Sequence, residues 1–231
     1  MAATITAGTA TRPSATAPSK DALQLGGAVR LFFGNLNAWL LLSAVTATAI
    51  WRLWLGDFSG WDVALVCGLV AWEPMQEWLI HVHILHWRPR KVLGVWLDPE
   101  LCHKHRAHHE NPWHLPDVFI PRRTLLALLP ALVGLWWFIT PTPQLMATGL
   151  LTMFSIGLVY EWTHFLTHTS YKPTTALYRA IFKHHRLHHF KNENYWYGVT
   201  MHQADKLLGT APKAREVPRS ETARNLDAAA R

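Results

Sequence analysis

Leu125-Leu126-Ala127-Leu128-Leu129-Pro130-Ala131-Leu132-Val133-Gly134-Leu135-Trp136-Trp137-Phe138 has no charged residue and no polar stripe at helical spacing. A helix that is apolar all round is either deeply buried or in a bilayer. Working outward, this run extends to Leu125–Thr140, and three more resemble it: Leu36–Trp51, Val63–Ile80 and Gln144–Trp162. A spanning helix needs about 17 to 25 mostly apolar residues, so the runs at Leu36 and Leu125 cross only with flanking residues counted. Trp39, Trp51, Trp54, Trp136 and Trp137 sit near the run ends, where an aromatic belt meets the membrane interface. The expected fold class is therefore all-α integral membrane, with about four transmembrane helices. A soluble helical bundle with buried hairpins is the competing class, and the all-round apolar run disfavours it.

Composition points the same way. Only 16% of the 231 residues are Asp, Glu, Lys or Arg, against about 25% in soluble domains. Cys67 and Cys102 are the only cysteines, which excludes a disulfide framework and a Cys-based zinc finger. Residues 1–25, rich in Ala, Thr, Ser and Pro, are expected to be a disordered leader, 26–210 the membrane domain, and the polar segment 211–231 a disordered tail.

Charge orients the spans. Arg88, Arg90, Lys91, Lys104, Arg106, Arg122 and Arg123 lie between the second and third runs, whereas Arg52 stands alone after the first and residues 141–143 carry no charge. The positive-inside rule then places the 88–123 segment and both termini in the cytosol. The net charge of +7 is explained by topology and anionic headgroups, and no nucleic-acid motif accompanies it.

Fourteen of the fifteen histidines fall in three windows at the predicted cytosolic ends of runs two and four. Steps of three or four residues return imidazoles to one helix face. His105, His108 and His109 make one such cluster, His185, His188 and His189 a second, and His164 with His168 a third. His81 and His86 are five apart, about 140° round an α-helix, so they are expected to reach two metals or two sides of one site. Neutral imidazole binds iron, zinc, copper or nickel. These ten exceed the roughly four to six ligands usual for one transition metal, so two ions are implied. Soluble di-metal carboxylate bundles use paired Glu-x-x-His strings. Glu161-Trp162-Thr163-His164 fits that string, but the windows as a whole are built on His, so the His-rich site is preferred. Glu77 and Glu161 lie one turn before His81 and His164 inside apolar runs, and are expected to accept the second N–H of a ligand imidazole.

The pattern His81-x-x-x-x-His86, His105-x-x-His108-His109, His164-x-x-x-His168, His185-x-x-His188-His189, then Tyr197-Gly198-Val199-Thr200, Asp205 and Gly209-Thr210, resembles the membrane fatty acid hydroxylase and sterol desaturase superfamily. The resemblance covers Trp61 to Thr210. His108-His109-Glu110-Asn111-Pro112 through Phe119-Ile120-Pro121, with His164-Phe165-Leu166-Thr167-His168, is most similar to the fatty acid and ceramide 2-hydroxylase branch. Ala204 departs from the Trp usual before the Asp, and residues 1–30 leave no room for the cytochrome b5 domain of many eukaryotic members. What the resemblance implies is a cytosolic helical cap holding a di-iron centre on His81, His86, His105, His108, His109, His164, His168, His185, His188 and His189, with His184 the least secure exclusion. It further implies O2-dependent hydroxylation of a lipid acyl chain. Desaturation, or a sterol or carotenoid substrate, fits the same ligands.

Two other classes fit the pattern less well. A metal or haem transporter would distribute ligands toward both membrane faces, and here they gather on one. A zinc hydrolase needs about three protein ligands and an open position. The chain has no dinucleotide or flavin fingerprint, so electrons are expected from a separate ferredoxin or cytochrome-type donor. An acidic donor would suit the basic face formed by Arg88, Arg90, Lys91, Lys104, Arg106, Lys183, Arg186 and Lys191.

Overall fold

The computed structural model describes residues 22–226, so residues 1–21 of the expected leader and 227–231 of the expected tail lie outside the described residues. Its elements are α1 (Leu25–Phe32), α2 (Leu36–Leu55), α3 (Gly60–Ile80) running into a π-helical turn (His81–Leu85), and β1 (Arg90–Val92) with β2 (Val95–Leu97). Then follow α4 (Glu100–Glu110), α5 (Leu115–Val118), α6 (Arg122–Ile139), α7 (Pro143–Thr167), α8 (Ala176–Phe190), α9 (Gln203–Leu207) and a short 3-10 turn (Ala214–Glu216). The all-α expectation thus becomes mostly helical. The β1–β2 hairpin pairs Arg90 with Leu97 across a Leu93-Gly94 turn in which both residues have positive φ.

Four helices are long and apolar enough to cross a membrane: Leu36–Leu55, Gly60–Leu85, Leu115–Ile139 and Pro143–Thr167. The chain is a multi-pass membrane protein. Each span is longer than the apolar run that announced it, and local signals fix three of the starts. Asn35 accepts from the Asn37 N–H to start α2, Ser59 and Asp62 form a reciprocal capping box on α3, and Thr142 caps α7. The 20 residues of α2 then reach about 30 Å, the thickness of the hydrocarbon core.

α7 is the central helix, with α2, α3 and α6 all packed on it. Small residues permit the approach. The Trp136 ring of α6 lies over Gly149, where a Cβ would meet it at 2.1 Å. Outward-facing side chains stay apolar, with Trp54, Trp137 and Phe138 well exposed, as lipid contact requires. Beyond the C-terminal ends of α3 and α7, a second core of Ala28, Phe32, Val118, Phe119, Phe165, Ile181 and Phe182 fastens α1, α5 and α8 to the bundle.

The opposite end is tied by charge. Arg52, in the last turn of α2 rather than in a loop, is 2% exposed. Its Nη2 meets Asp62 Oδ1 at 2.9 Å, its Nε donates to Thr148 Oγ1 at 2.8 Å, and its guanidinium lies 3.9 Å from the Phe58 ring centroid. One ion pair therefore links α2, α3 and α7. Removing one partner of a buried pair strands the other charge. Arg52→Leu is expected to destabilise the protein by about 3 kcal/mol, read as the shift in thermal unfolding in detergent, and Asp62→Leu in the same chain should recover part of the loss.

Candidate metal centre

The ten histidines nominated by sequence converge at the end of the bundle opposite Arg52, and they sort into two groups of five. His81, His86, His105, His109 and His188 form the first; His108, His164, His168, His185 and His189 form the second. Within each group one nitrogen per ring lies within 4.8 Å of the others. The sorting cuts across the sequence clusters. On α4, His105 and His109 point to the first group and His108 to the second; on α8, His185 and His189 point to the second and His188 to the first. Each group thus takes a pair from a span end, an i, i+4 pair from one cap helix and a single imidazole from the other.

His81 and His86 share a group despite their spacing, because the helix widens between them. The His86 N–H bonds to the His81 carbonyl at 3.1 Å, an i→i+5 closure that brings the fifth residue back over the first. The thiol of Cys102 donates to the Ile84 carbonyl at 3.1 Å and fastens this turn to α4.

Ring orientation is set by backbone carbonyls. His81 Nδ1 faces the Tyr197 oxygen at 2.5 Å, His188 Nδ1 that of Tyr195 at 2.8 Å, and His109 Nδ1 that of Ala223 at 2.9 Å. A carbonyl only accepts, so each Nδ1 carries the proton and each Nε2 presents a lone pair. His109 Nε2 and His188 Nε2 nevertheless stand 3.2 Å apart. Desolvation holds His109 down to about 4 and His188 well below the ordinary imidazole value, so neither ring takes a second proton near neutrality. Two opposed lone pairs repel unless a cation lies between them. In the second group, His168 Nε2 meets those of His108 (3.2 Å) and His185 (3.0 Å), and His185 Nε2 also meets that of His189 (3.1 Å). His185 Nε2 has at most one proton to share, and the His164 ring nitrogens are buried without partners. Two nitrogens about 2.1 Å from one ion at near right angles are about 3 Å apart, so the donor set fits a metal in each group.

Glu77 and Glu161 correct the sequence reading, since neither accepts from an imidazole. Glu77 Oε1 takes the N–H groups of Val199 (2.7 Å) and Thr200 (2.9 Å), and Oε2 the Thr200 hydroxyl (2.8 Å). It holds the loop whose Tyr197 carbonyl orients His81. Asp205 holds the same loop by accepting from the N–H of Tyr197 and Gly198 and from His184 Nε2. His184 therefore faces Asp205 and lies outside both groups. Gly198 is required there: a Cβ would sit 2.0 Å from the Met201 oxygen. Glu161 Oε1 accepts from the Ile120 N–H (3.0 Å) and from Asn37 (3.4 Å), tying α7 to the start of α6 and α2.

The expected disordered tail is also corrected over residues 211–226, which pack against the centre. Val217, Ala223 and Leu226 are buried, Ser220 N–H donates to the Lys191 carbonyl, and the Thr222 hydroxyl bonds Glu193. Polar composition hid this, because the segment is held by hydrogen bonds and by three scattered apolar residues with no helical or strand periodicity. Likewise residues 22–25 are fixed, Leu23 N–H donating to Ser170 Oγ at 3.1 Å.

An apolar cavity of about 290 Å³ opens between α3, α6 and α7, lined by residues including Ile80, Leu125, Leu128, Leu132 and Phe154. Leu85, Leu101, Ile120 and Tyr160 line both this cavity and a smaller one that touches His105 and His164, one from each histidine group.

The arrangement is one of apolar spans crowned by two groups of five histidines, with an apolar cavity beside them. The family described as Fatty acid hydroxylase matches residues 65–210, and the chain belongs to that family. Among curated proteins it is similar to dihydroceramide fatty acyl 2-hydroxylase FAH1 of Arabidopsis thaliana, 28% identical over 165 residues covering 68% of this chain and 63% of that protein. It is also similar to FAH2 of the same plant, 29% identical over 147 residues covering 63% and 59%. The chain thus spans about three fifths of the length of these relatives. A solved structure described as full-length scs7p, with only the hydroxylase domain visible, shares the fold at a TM-score of 0.61, 18% identity, and coverage of 84% of this chain and 69% of that one.

Partners that orient a ligand ring commonly change metal affinity by about 10- to 100-fold. Truncation after Thr210, which removes the Ala223 carbonyl from His109, is expected to lower metal retention by about that factor. Metal content after dialysis against graded chelator measures it, and retention equal to that of the full chain would contradict the role given to the tail.

Proposed function

We propose that this protein is a di-iron, O2-dependent oxygenase that hydroxylates a lipid acyl chain with electrons from a separate donor. The observation that carries the reading is the smaller cavity touching His105 and His164, one from each histidine group, which shares Leu85, Leu101, Ile120 and Tyr160 with the apolar cavity. In this reading His81, His86, His105, His109 and His188 hold one iron, and His108, His164, His168, His185 and His189 the other. The pair of ions supplies O2 activation and the oxidising power to break an unactivated C–H bond, which no side chain has.

The protein's part is positional. Carbonyls of Tyr195, Tyr197 and Ala223 keep ring protons on Nδ1, away from the ligand nitrogens. Leu85, Leu101 and Ile120 surround the approach with carbon, excluding water and aligning an extended chain. Acyl chains are favoured over sterols or carotenoids as substrate because the similar Arabidopsis proteins are named as fatty acyl 2-hydroxylases.

We also place the histidine cap and both termini in the cytosol, on the excess of Lys and Arg between Arg88 and Arg123. The donor would then dock on that side. Several cations named from sequence are engaged internally, which narrows its footprint: Arg106 pairs with Asp98, Lys104 with Asp117, and Arg186 donates to the carbonyls of Thr167 and Thr169. Exposed Arg90, Lys91 and Lys183 remain for an acidic carrier.

Anaerobically purified protein is expected to hold about two iron ions per chain, with His108→Ala and His188→Ala each lowering the count. One ion in the intact chain would sink the two-metal reading. Iron-loaded protein given O2, a reductant and acyl lipid should add one oxygen atom to the chain, detected by mass spectrometry; product only from sterol or carotenoid would replace the acyl reading. Reporters fused after Arg231 should be active only on the cytosolic side.

A further inference from the structure

The cavity between α3, α6 and α7 is walled mostly by carbon, but α3 puts three hydrogen-bonding side chains into it: Glu73, Gln76 and Glu77. Glu77 is consumed by the Val199–Thr200 loop. Glu73 and Gln76 are not. The bond between them, Gln76 Nε2 to Glu73 Oε2, is 3.5 Å long, at the edge of a hydrogen bond. Glu73 is 6% exposed and has no ion-pair partner among the described residues. An unpaired carboxylate in a hydrocarbon setting is costly, and the cost falls when the group is protonated and hydrogen-bonded. A neutral carboxyl donates and accepts, as does the amide of Gln76. The group that satisfies both is one that itself donates and accepts, and in a bilayer-fed cavity the simplest such group is an alcohol.

We propose that Glu73 and Gln76 form a recognition site for a hydroxyl group on the bound lipid, so that the cavity selects an oxygen-bearing chain over a plain hydrocarbon one. The pair also sets where that hydroxyl lies. Glu73 precedes His81 by eight residues, about 12 Å along the helix, so the recognised hydroxyl is about that far from the histidine groups. The inference rests on the reading that this cavity holds the lipid to be oxidised, and it adds a requirement on that lipid's structure.

The test is binding by the full chain in lipid nanodiscs, followed by displacement of a fluorescent octadecanoyl probe. Competitors are unsubstituted octadecanoyl lipid, a series with one hydroxyl moved along the chain, and an amine-bearing analogue. A mid-chain hydroxyl is expected to bind about tenfold more tightly than the unsubstituted chain, the equivalent of one net buried hydrogen bond. Affinity should peak at one hydroxyl position. Glu73→Leu and Gln76→Leu should each abolish that preference while retaining the plain chain, and Glu73→Gln, which keeps a donor and an acceptor, should retain most of it. Metal content matching wild type certifies folding, and where Glu73→Leu fails that check, Glu73→Gln and Gln76→Leu carry the test. Equal binding of plain and hydroxylated chains, a preference unchanged in the Leu variants, or tighter binding of the amine would overturn the proposal. Because displacement needs no turnover, a protein that oxidises no acyl lipid would refute the proposed reaction while leaving this measurement to stand or fall alone.

Discussion

Two imidazole lone pairs facing one another at 3.2 Å, on His109 and His188, are the constraint around which the cap is organised. Each is fixed as a lone pair because the other nitrogen of its ring is bound to a backbone carbonyl, Ala223 for His109 and Tyr195 for His188. The carbonyls in turn need their loops held. Lys191 and Glu193 bind the segment that carries Ala223, while Asp205 and Glu77 bind the loop that continues from Tyr195 through Tyr197 to Thr200. Packing so many neutral rings together has no hydrophobic benefit comparable to leucine, and it leaves ring nitrogens of His81, His164 and others buried without partners. A cation in each group would relieve this crowding of lone pairs.

The bundle below serves this arrangement. α7 delivers His164 and His168 from its C-terminal end and α3 delivers His81 and His86, so the relative height of these two helices sets the separation of the groups. Their other ends are joined through Arg52, which bonds Asp62 of α3 and Thr148 of α7. An ion pair remote from the histidines therefore fixes the register in which they meet.

Much of this was legible in the chain. All-round apolarity gave away the spans, and repeated His-x-x-His-His at their ends marked the ligand candidates, since both signals are local. The sorting of those candidates was not local. Whether His108 joins His105 or His164 depends on how α4 is rotated against α7 and α8, and no spacing records that rotation. The meeting of His81 with His86 depended on a π turn, which hydropathy and spacing do not announce. Sequence points to Glu77 and Glu161 as ring-orienting groups because carboxylates are visible in it, whereas the carbonyls of Tyr195, Tyr197 and Ala223 belong to the backbone that every residue has. The packed segment 211–226 escaped for a related reason: a few hydrogen bonds to Lys191, Asn192 and Glu193 order it, and composition is blind to them.

The division of α8 between the two groups bears on biogenesis. α8 follows the last span, and it gives His188 to one group and both His185 and His189 to the other. A nascent chain inserted only as far as Thr167 therefore holds neither group complete, whatever metal is at hand. Either group reaches its full set of five rings only when the bundle is closed and α8 has docked against Phe165 and Leu166. The position of α8 in the chain thus sets the order of assembly: spans first, shared imidazoles last.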